Sequence, residues 1–229
     1  MSDAFAGFPP SGFDFLRNLA TNNNKPWFEA NRRGYDEGLL GPGRLFVVAM
    51  GMALSEFATG IHAEPRVSGS IFRIHRDIRF SRDKRPYKTH FDLWFWQGDR
   101  RSRDCPGYFL RLEPDRVKVG AGRYRFDKDP LQAFRAAVAD DRRGAALERA
   151  LEQVRAVGGE VGGEHYKRVP QGFESDHPRA ELLRYRALHA WIDGPLPSQV
   201  HSADFVEYCA ERCRILSPVQ RWILDLYDW

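Results

Sequence analysis

The stretch Ile71–Trp96 limits the fold more than any other part of the chain. Its sequence is IFRIHRDIRFSRDKRPYKTHFDLWFW. Side chains alternate along residues 71–80 and again along residues 89–96, as in β-strands that bury one face. The loop between them, Ser81–Tyr87, contains Pro86, which restricts the backbone. The pattern predicts two neighbouring strands joined by a basic loop, and therefore a sheet in the middle of the chain.

Helical patterns precede this stretch. Ser11–Ala20 has the apolar spacing of a short helix, and Pro26 suits the first turn of a second one. Gly41-Pro42-Gly43 is typical of a break, after which Arg44–Ala58 predicts another helix. The N-terminal third is therefore expected to be mainly helical.

Strand patterns continue after Trp96 and then give way to helices. Tyr108–Leu112 and Arg116–Val119 predict a hairpin. Residues 160–178 have no regular pattern. Helices are predicted over residues 129–157, 178–191, 202–216 and 217–229.

Strands grouped between two helical blocks predict an α+β fold, with a central antiparallel sheet flanked by N-terminal and C-terminal helices. The expected order is helical over 1–65, mainly strands over 66–127 and mainly helical over 128–229. A chain of 229 residues is long enough for one well-buried domain, and no stretch has the composition of a flexible linker. We therefore expect a single domain over residues 1–229.

Positive charge is concentrated in the middle of the chain. The net charge is only +4. Between Arg73 and Arg103, however, ten Lys and Arg face four Asp, a local excess of six that leaves the remainder slightly acidic. Such an asymmetry favours a surface that attracts anions.

The predicted site lies on the first strand and the basic loop. Its expected ligand-binding side chains all donate hydrogen bonds: Arg73, Arg76, Arg79, Ser81, Lys84, Tyr87 and Lys88. Asp77 lies among the arginines and is the predicted catalytic residue, as a group that orients them or transfers a proton. His177 either caps the helix that follows it or joins the same site.

No cofactor or metal site is predicted. The histidines of the C-terminal third lack a compact metal spacing, and Gly120-Ala121-Gly122 lacks the context of a nucleotide-binding loop. Cys209 and Cys213 are expected to be small core residues. Three cysteines form no disulfide framework, and neither a secretory signal nor an apolar run of membrane-spanning length is apparent. These features predict a cytoplasmic protein without a membrane partner.

The basic stretch also resembles a known family. The run Arg76-Asp77-x-Arg79-Phe80-Ser81-x-Asp83-Lys84-x-Pro86-Tyr87-Lys88 is similar to the signature of the bacterial and fungal "domain of unknown function 2461" proteins. The resemblance extends to Asn22-Asn23 with Trp27-Phe28, to Gly107-Tyr108, to Lys167-Arg168-x-Pro170 and to Asp176-His177-Pro178. It implies a shared fold and a shared site at the arginine-rich run, but no reaction.

Three hypotheses for function follow from the residues. In the first, the protein binds, and acts on, a small molecule that carries phosphate or carboxylate, and replacing Arg79 by Ala abolishes binding. In the second, the protein binds nucleic acid, and the basic residues contact its backbone and bases together with Arg100, Arg101, Arg103, Trp94 and Trp96. In the third, the Arg and Asp pairs only brace the sheet.

Overall fold

The computed structural model describes residues 4–99 and 104–227. Its strands are β1 (Ile61–His62), β2 (Phe91–Gln97), β3 (Gly107–Leu112), β4 (Arg116–Arg123), β5 (Glu160–Glu164) and β6 (Tyr185–Pro195). They form an antiparallel sheet in the order β1-β2-β3-β4-β6-β5. The helices are α1 (Pro10–Thr21), α2 (Lys25–Tyr35), α3 (Gly41–Ser55), α4 (Lys128–Ala139), α5 (Asp141–Ala156), α6 (Ala180–Leu183) and α7 (Phe205–Leu224). The predicted α+β class is confirmed.

The residues group into two compact units. The first unit contains the chain up to Phe95 together with Phe109–Lys118 and Asp193–Glu211. The second contains Trp96–Tyr108, Val119–Ile192 and the chain from Arg212 onwards. The expectation of a single domain stays a prediction, and the candidate site described below lies within the first unit.

The helices of the first unit pack closely because two glycines face each other. A Cβ on Gly12 of α1 would lie 2.3 Å from the carbonyl oxygen of Gly38, and one on Gly38 would lie 2.7 Å from the Cα of Gly12. Only glycine permits this backbone contact. It brings the buried rings of Phe15, Phe28 and Tyr35 together, with centroids about 6 Å apart.

The predicted break at residues 41–43 is wrong, because a π-helical segment, Asp36–Leu40, joins α2 to α3. The N–H of Gly41 bonds to the carbonyl of Asp36, five residues back. Pro42 follows in the first turn of α3, and the wider turn carries the chain past this residue without an N–H. The continuous helix Lys25–Ser55 is long and apolar enough to cross a membrane by length and composition, a test that core helices of soluble proteins also pass.

The prediction of a regular strand over residues 71–80 is also wrong. Ile71 forms isolated bridges with Val67 and Leu93, and His75 forms one with Tyr87. The alternating pattern placed Phe72 and other apolar residues on one buried face, yet Phe72 is exposed. Pro86 lacks an N–H and cannot continue a ladder, which explains why the pairing beyond the His75–Tyr87 bridge stays irregular.

The block 128–229 contains more sheet than predicted. Glu160–Glu164 forms β5, and most of the helix expected over 178–191 is replaced by β6. β6 pairs with β5, for example Val161 with Ala190. These pairings outweigh the local helix propensity of its Ala, Leu and Arg residues.

The last two predicted helices are one helix, α7. Pro218 lies inside it and cannot donate a hydrogen bond to the carbonyl of Arg214. The hydroxyl of Ser217 donates to this carbonyl at 2.8 Å instead. The side chain thereby satisfies the carbonyl oxygen that the proline would leave without a partner, and the helix continues.

Candidate functional site

In the structure the basic loop comprises residues 76–86, instead of the predicted Ser81–Tyr87, and a single pair of residues flanks it. His75 and Tyr87 form an antiparallel bridge. Beside it, the N–H of Lys88 donates to the carbonyl of Ile74 at 2.8 Å. The loop is therefore held at its base while its tip lies on the surface.

Asn23, in the turn between α1 and α2, fixes the base of the loop. Its side-chain amide donates to the carbonyl of Tyr87 at 3.0 Å and accepts the N–H of Tyr87 at 3.0 Å. The Tyr87 ring stacks on Phe28 with centroids 4.2 Å apart. One side chain thus satisfies both backbone groups of a buried residue, and the N-terminal asparagine turn belongs to the site.

Ion pairs within the basic loop join near neighbours in sequence. Arg79 binds both carboxylate oxygens of Asp77, at 3.0 and 2.7 Å. Arg85 likewise donates to both carboxylate oxygens of Asp83. Arg76 Nη1 lies 2.8 Å from Asp83 Oδ2. These pairs give the loop its local shape without regular secondary structure.

A cavity of about 380 Å³ opens at the base of the basic loop. Its walls come from the two ends of the loop, from the residues that lead into β2, and from β2 and β3. The lining residues are Arg76, Asp77, Arg85, Tyr87, Lys88, Thr89, His90, Asp92 and Arg111. Arginine and lysine outnumber aspartate by four to two in this lining.

Asp92 is the centre of the cavity wall. Its side chain is only 13% exposed. Lys88 Nζ lies 3.0 Å from the carboxylate, His90 Nε2 lies 3.1 Å from it, and Arg111 Nε donates to it at 2.8 Å. One carboxylate therefore fixes three nitrogen-bearing side chains at the wall of the cavity.

The two lining aspartates have different surroundings. Burial alone would raise the pKa of Asp92, but hydrogen bonds from His90 and Arg111 outweigh burial and hold that pKa well below its usual range. Asp77 is exposed, and the side-chain hydrogen bonds from Arg79 lower its pKa to about 2. The paired hydrogen bonds from Arg79 to Asp77 are the arrangement expected of an orienting group, and the catalytic role of Asp77 stays a prediction.

Four of the predicted site residues line the cavity: Arg76, Asp77, Tyr87 and Lys88. The other predicted residues of the stretch do not line it. Arg79 has a 75% exposed side chain and is occupied by Asp77, and Lys84 Nζ donates to the carbonyl of Ile78 at 3.0 Å. Arg73 lies exposed before the loop, and Ser81 lies half-buried within it.

His177 lies in the second unit, before α6. Its Nδ1 accepts the N–H of Arg179 at 2.9 Å. Arg179 is the N-cap residue of α6, and its own side chain makes no capping hydrogen bond. The capping role of His177 therefore stays a prediction, as does the alternative that it joins the site. His177 is not among the residues that line the cavity.

Sequence reasoning missed the residues that organise the cavity: His90, Asp92 and Arg111. One signal was present, because His90 and Asp92 share one face of the strand predicted over residues 89–96, and Lys88 lies two residues before His90. A charged face on a strand with an otherwise apolar sequence indicates a functional surface. Arg111 comes from β3, and its approach to Asp92 depends on a strand pairing that no local pattern reveals.

The donor set of the site suits an anion. Within residues 4–99 and 104–227, no group of three or more His, Cys, Asp or Glu side chains is placed to hold a metal ion. Guanidinium and ammonium groups match the oxygen atoms of phosphate and carboxylate. The nucleic-acid hypothesis also includes Arg100, Arg101 and Arg103, which lie outside the described residues.

Comparison with protein families gives a match over nearly the whole chain. The family model described as "Conserved hypothetical protein (DUF2461)" matches residues 11–222, nearly the whole chain. The matched range includes Asn23, the basic loop and all residues that line the cavity. No curated protein matches the chain.

Proposed function

The chain belongs to the DUF2461 family of conserved hypothetical proteins, and we propose that it binds a small molecule carrying a phosphate or carboxylate group in the cavity at the base of the basic loop. The observation that supports this proposal most strongly is the convergence of Lys88, His90 and Arg111 on Asp92. Three side chains able to donate hydrogen bonds are held there before any ligand arrives.

Preorganisation is what distinguishes this cluster from ordinary surface charge. A flexible lysine or arginine loses side-chain entropy when it binds a ligand, which weakens the net affinity. Asp92 has already ordered Lys88 and Arg111, with N–O distances of 3.0 and 2.8 Å. The oxyanion therefore meets donors whose positions are set.

The negative charge of Asp92 does not oppose this role. Asp92 and Asp77 are outnumbered in the lining by Arg76, Arg85, Lys88 and Arg111. At an effective dielectric constant of roughly 20, such an excess still attracts an anion at short range. Asp92 acts as a positioning residue for the cations, and His90 is the lining group suited to proton transfer if the bound molecule reacts.

Calorimetric titration with inorganic phosphate, succinate and ribose 5-phosphate tests this proposal. Lys88→Met and Arg111→Met each remove a cation and keep an apolar stem. Loss of a charge-assisted hydrogen bond should weaken binding about tenfold or more. Arg33→Met is the matched control, since Arg33 is exposed on α2, pairs with Glu37 and does not line the cavity.

Binding that is weakened in both cavity variants and unchanged in Arg33→Met supports the proposal. Equal binding by wild type and both folded cavity variants would contradict it. Circular dichroism of each variant confirms that a loss of binding is not a loss of fold.

A nucleic-acid-binding function is the second candidate, and one observation favours it. The basic loop exposes Arg79, Arg82, Lys84 and Arg85 on a single segment. Contacts to a polynucleotide backbone make affinity fall steeply with salt. Binding of a single-stranded oligonucleotide that decreases with salt, and that Arg82→Ala and Lys84→Ala weaken, would support this candidate.

A cytoplasmic location is also a proposal. All three cysteines are buried. Burial raises the pKa of the Cys213 thiol well above its usual range, so it stays protonated and unreactive. Thiols in this state suit a reducing compartment.

A further inference from the structure

Two phenylalanine rings in the stretch that leads into and forms the basic loop are exposed. Phe72 is 39% exposed and Phe80 is 95% exposed. A fully exposed aromatic ring in a charged loop contributes nothing to a core, and its face is open to stacking with a ligand.

Phe72 is linked directly to the cavity. Its backbone N–H donates to the backbone carbonyl of Asp92 at 3.0 Å, so the two residues lie side by side. Lys88 Nζ lies 4.9 Å from the centroid of the Phe72 ring and 3.0 Å from Asp92. A single ammonium group therefore contacts both the aromatic ring and the charged wall of the cavity.

Phe80 is linked to the cavity through one intermediate. The guanidinium carbon of Arg79 lies 5.8 Å from the centroid of the Phe80 ring. The same guanidinium binds Asp77, which lines the cavity. Both exposed rings thus adjoin cations that are connected to the site.

We propose that the ligand of the cavity carries a flat aromatic ring together with its phosphate or carboxylate group, and that Phe72 and Phe80 receive this ring. The inference rests on the proposed function and names the substrate class: aromatic oxyanions, of which a nucleoside monophosphate is one. Stacking covers an aromatic surface that is otherwise in water, and the adjacent cations attract the π-face of the ligand ring.

Matched ligand pairs test the inference. Adenosine 5′-monophosphate and ribose 5-phosphate share a phosphate and a sugar and differ by the base. Benzoate and cyclohexanecarboxylate share a carboxylate and differ in aromaticity. Because stacking of one base on an aromatic side chain is worth on the order of tenfold in affinity, the aromatic member of at least one pair should bind about ten times more tightly. The pair that shows the preference identifies the anionic group.

The variants Phe72→Leu and Phe80→Leu remove the π-face and keep an apolar side chain. The expected result is that the aromatic preference shrinks to about twofold or less in at least one of them, while the affinity for the non-aromatic partner is unchanged. Tyr124→Leu is the matched control, because Tyr124 is a similarly exposed ring in the second unit.

Each outcome separates this inference from the proposed function. Equal affinity within both ligand pairs, with binding still lost in Lys88→Met, overturns the inference and leaves the proposed function standing. An aromatic preference that survives in both leucine variants also overturns it. Binding of a single-stranded oligonucleotide alone, with no affinity for any small oxyanion, overturns both and favours the nucleic-acid candidate.

Discussion

The basic loop and the cavity wall use the same residue types in different ways. In the loop, Asp77 pairs with Arg79 two residues later, and both side chains are largely exposed. At the wall, Asp92 is only 13% exposed and contacts three side chains. Lys88 and His90 come from the residues that lead into β2, and Arg111 comes from β3.

The two regions differ in how strongly a carboxylate and its partners depend on each other. Exposed ion pairs contribute little because water and salt screen them. A buried carboxylate depends on its partners, and they depend on it, because each lost its hydration on folding. Most of the charged residues lie in the loop, but burial makes the ion pairs at the wall contribute more to the free energy of unfolding.

The largest expected effect is that of Asp92→Asn. The variant leaves Lys88, His90 and Arg111 without their shared carboxylate, and breaking a buried ion pair costs about 3–5 kcal/mol in the free energy of unfolding. Urea denaturation measures this loss. We also expect weaker binding of inorganic phosphate although the net charge becomes more positive, because the donors lose their positions. Stronger phosphate binding would show that Asp92 merely repels the anion and would contradict its positioning role.

The second effect tests how firmly the loop is attached at its base. Asn23→Ala removes both hydrogen bonds to the backbone of Tyr87 and should lower the free energy of unfolding by about 2 kcal/mol, since a buried group without a partner costs about 1–3 kcal/mol. Asn22→Ala is the matched control, because the Asn22 side chain is exposed and bonds only within its own turn. Equal stability of the two variants would show that the hydrogen bonds from Asn23 to the Tyr87 backbone do not stabilise the fold.

The third effect concerns the decrease of stability at low pH. The pKa of Asp92 in the folded protein lies well below its ordinary value of 3.8, so its ion pairs stabilise the fold fully above that value and are lost as the pH falls towards the folded pKa. The stability of the wild type should therefore decrease between about pH 5 and pH 2 more steeply than that of Asp92→Asn. Asp77→Asn should flatten the slope less than Asp92→Asn does, because water and salt screen the exposed pair of Asp77 with Arg79. If stability decreases equally with pH in all three proteins, the ion pairs of Asp92 are not the cause of the decrease.

Elements with a clear local pattern were predicted well. α1, β2 and the hairpin of β3 and β4 lie within a few residues of their predicted positions, because their apolar spacing matches a face that is buried. β6 was predicted as a helix because its Ala, Leu and Arg residues favour helices, while its pairing with β5 depends on residues some 25 positions earlier. α7 was divided at Pro218 because the compensation by Ser217 is a side-chain contact that no propensity encodes.

The candidate site follows the same division. Arg76, Tyr87 and Lys88 were predicted because they belong to one short basic stretch, and they do line the cavity. Arg111 was missed because β3 approaches Asp92 only through the sheet. The spacing of Lys88, His90 and Asp92 was a signal for a charged surface, but it did not indicate that Arg111 would reach the same carboxylate.

The smallest expected effect separates the two regions most directly. The sequence alone predicts that Arg79→Ala abolishes ligand binding, whereas the structure places Arg79 outside the cavity lining, in an exposed pair with Asp77. We therefore expect an unchanged melting temperature and an affinity for ribose 5-phosphate within about twofold of wild type, since screened surface pairs contribute little. Calorimetry of this variant beside Lys88→Met makes the comparison. If Arg79→Ala abolishes binding and Lys88→Met does not, the anion binds at the tip of the basic loop, and the cavity wall serves only to anchor that loop.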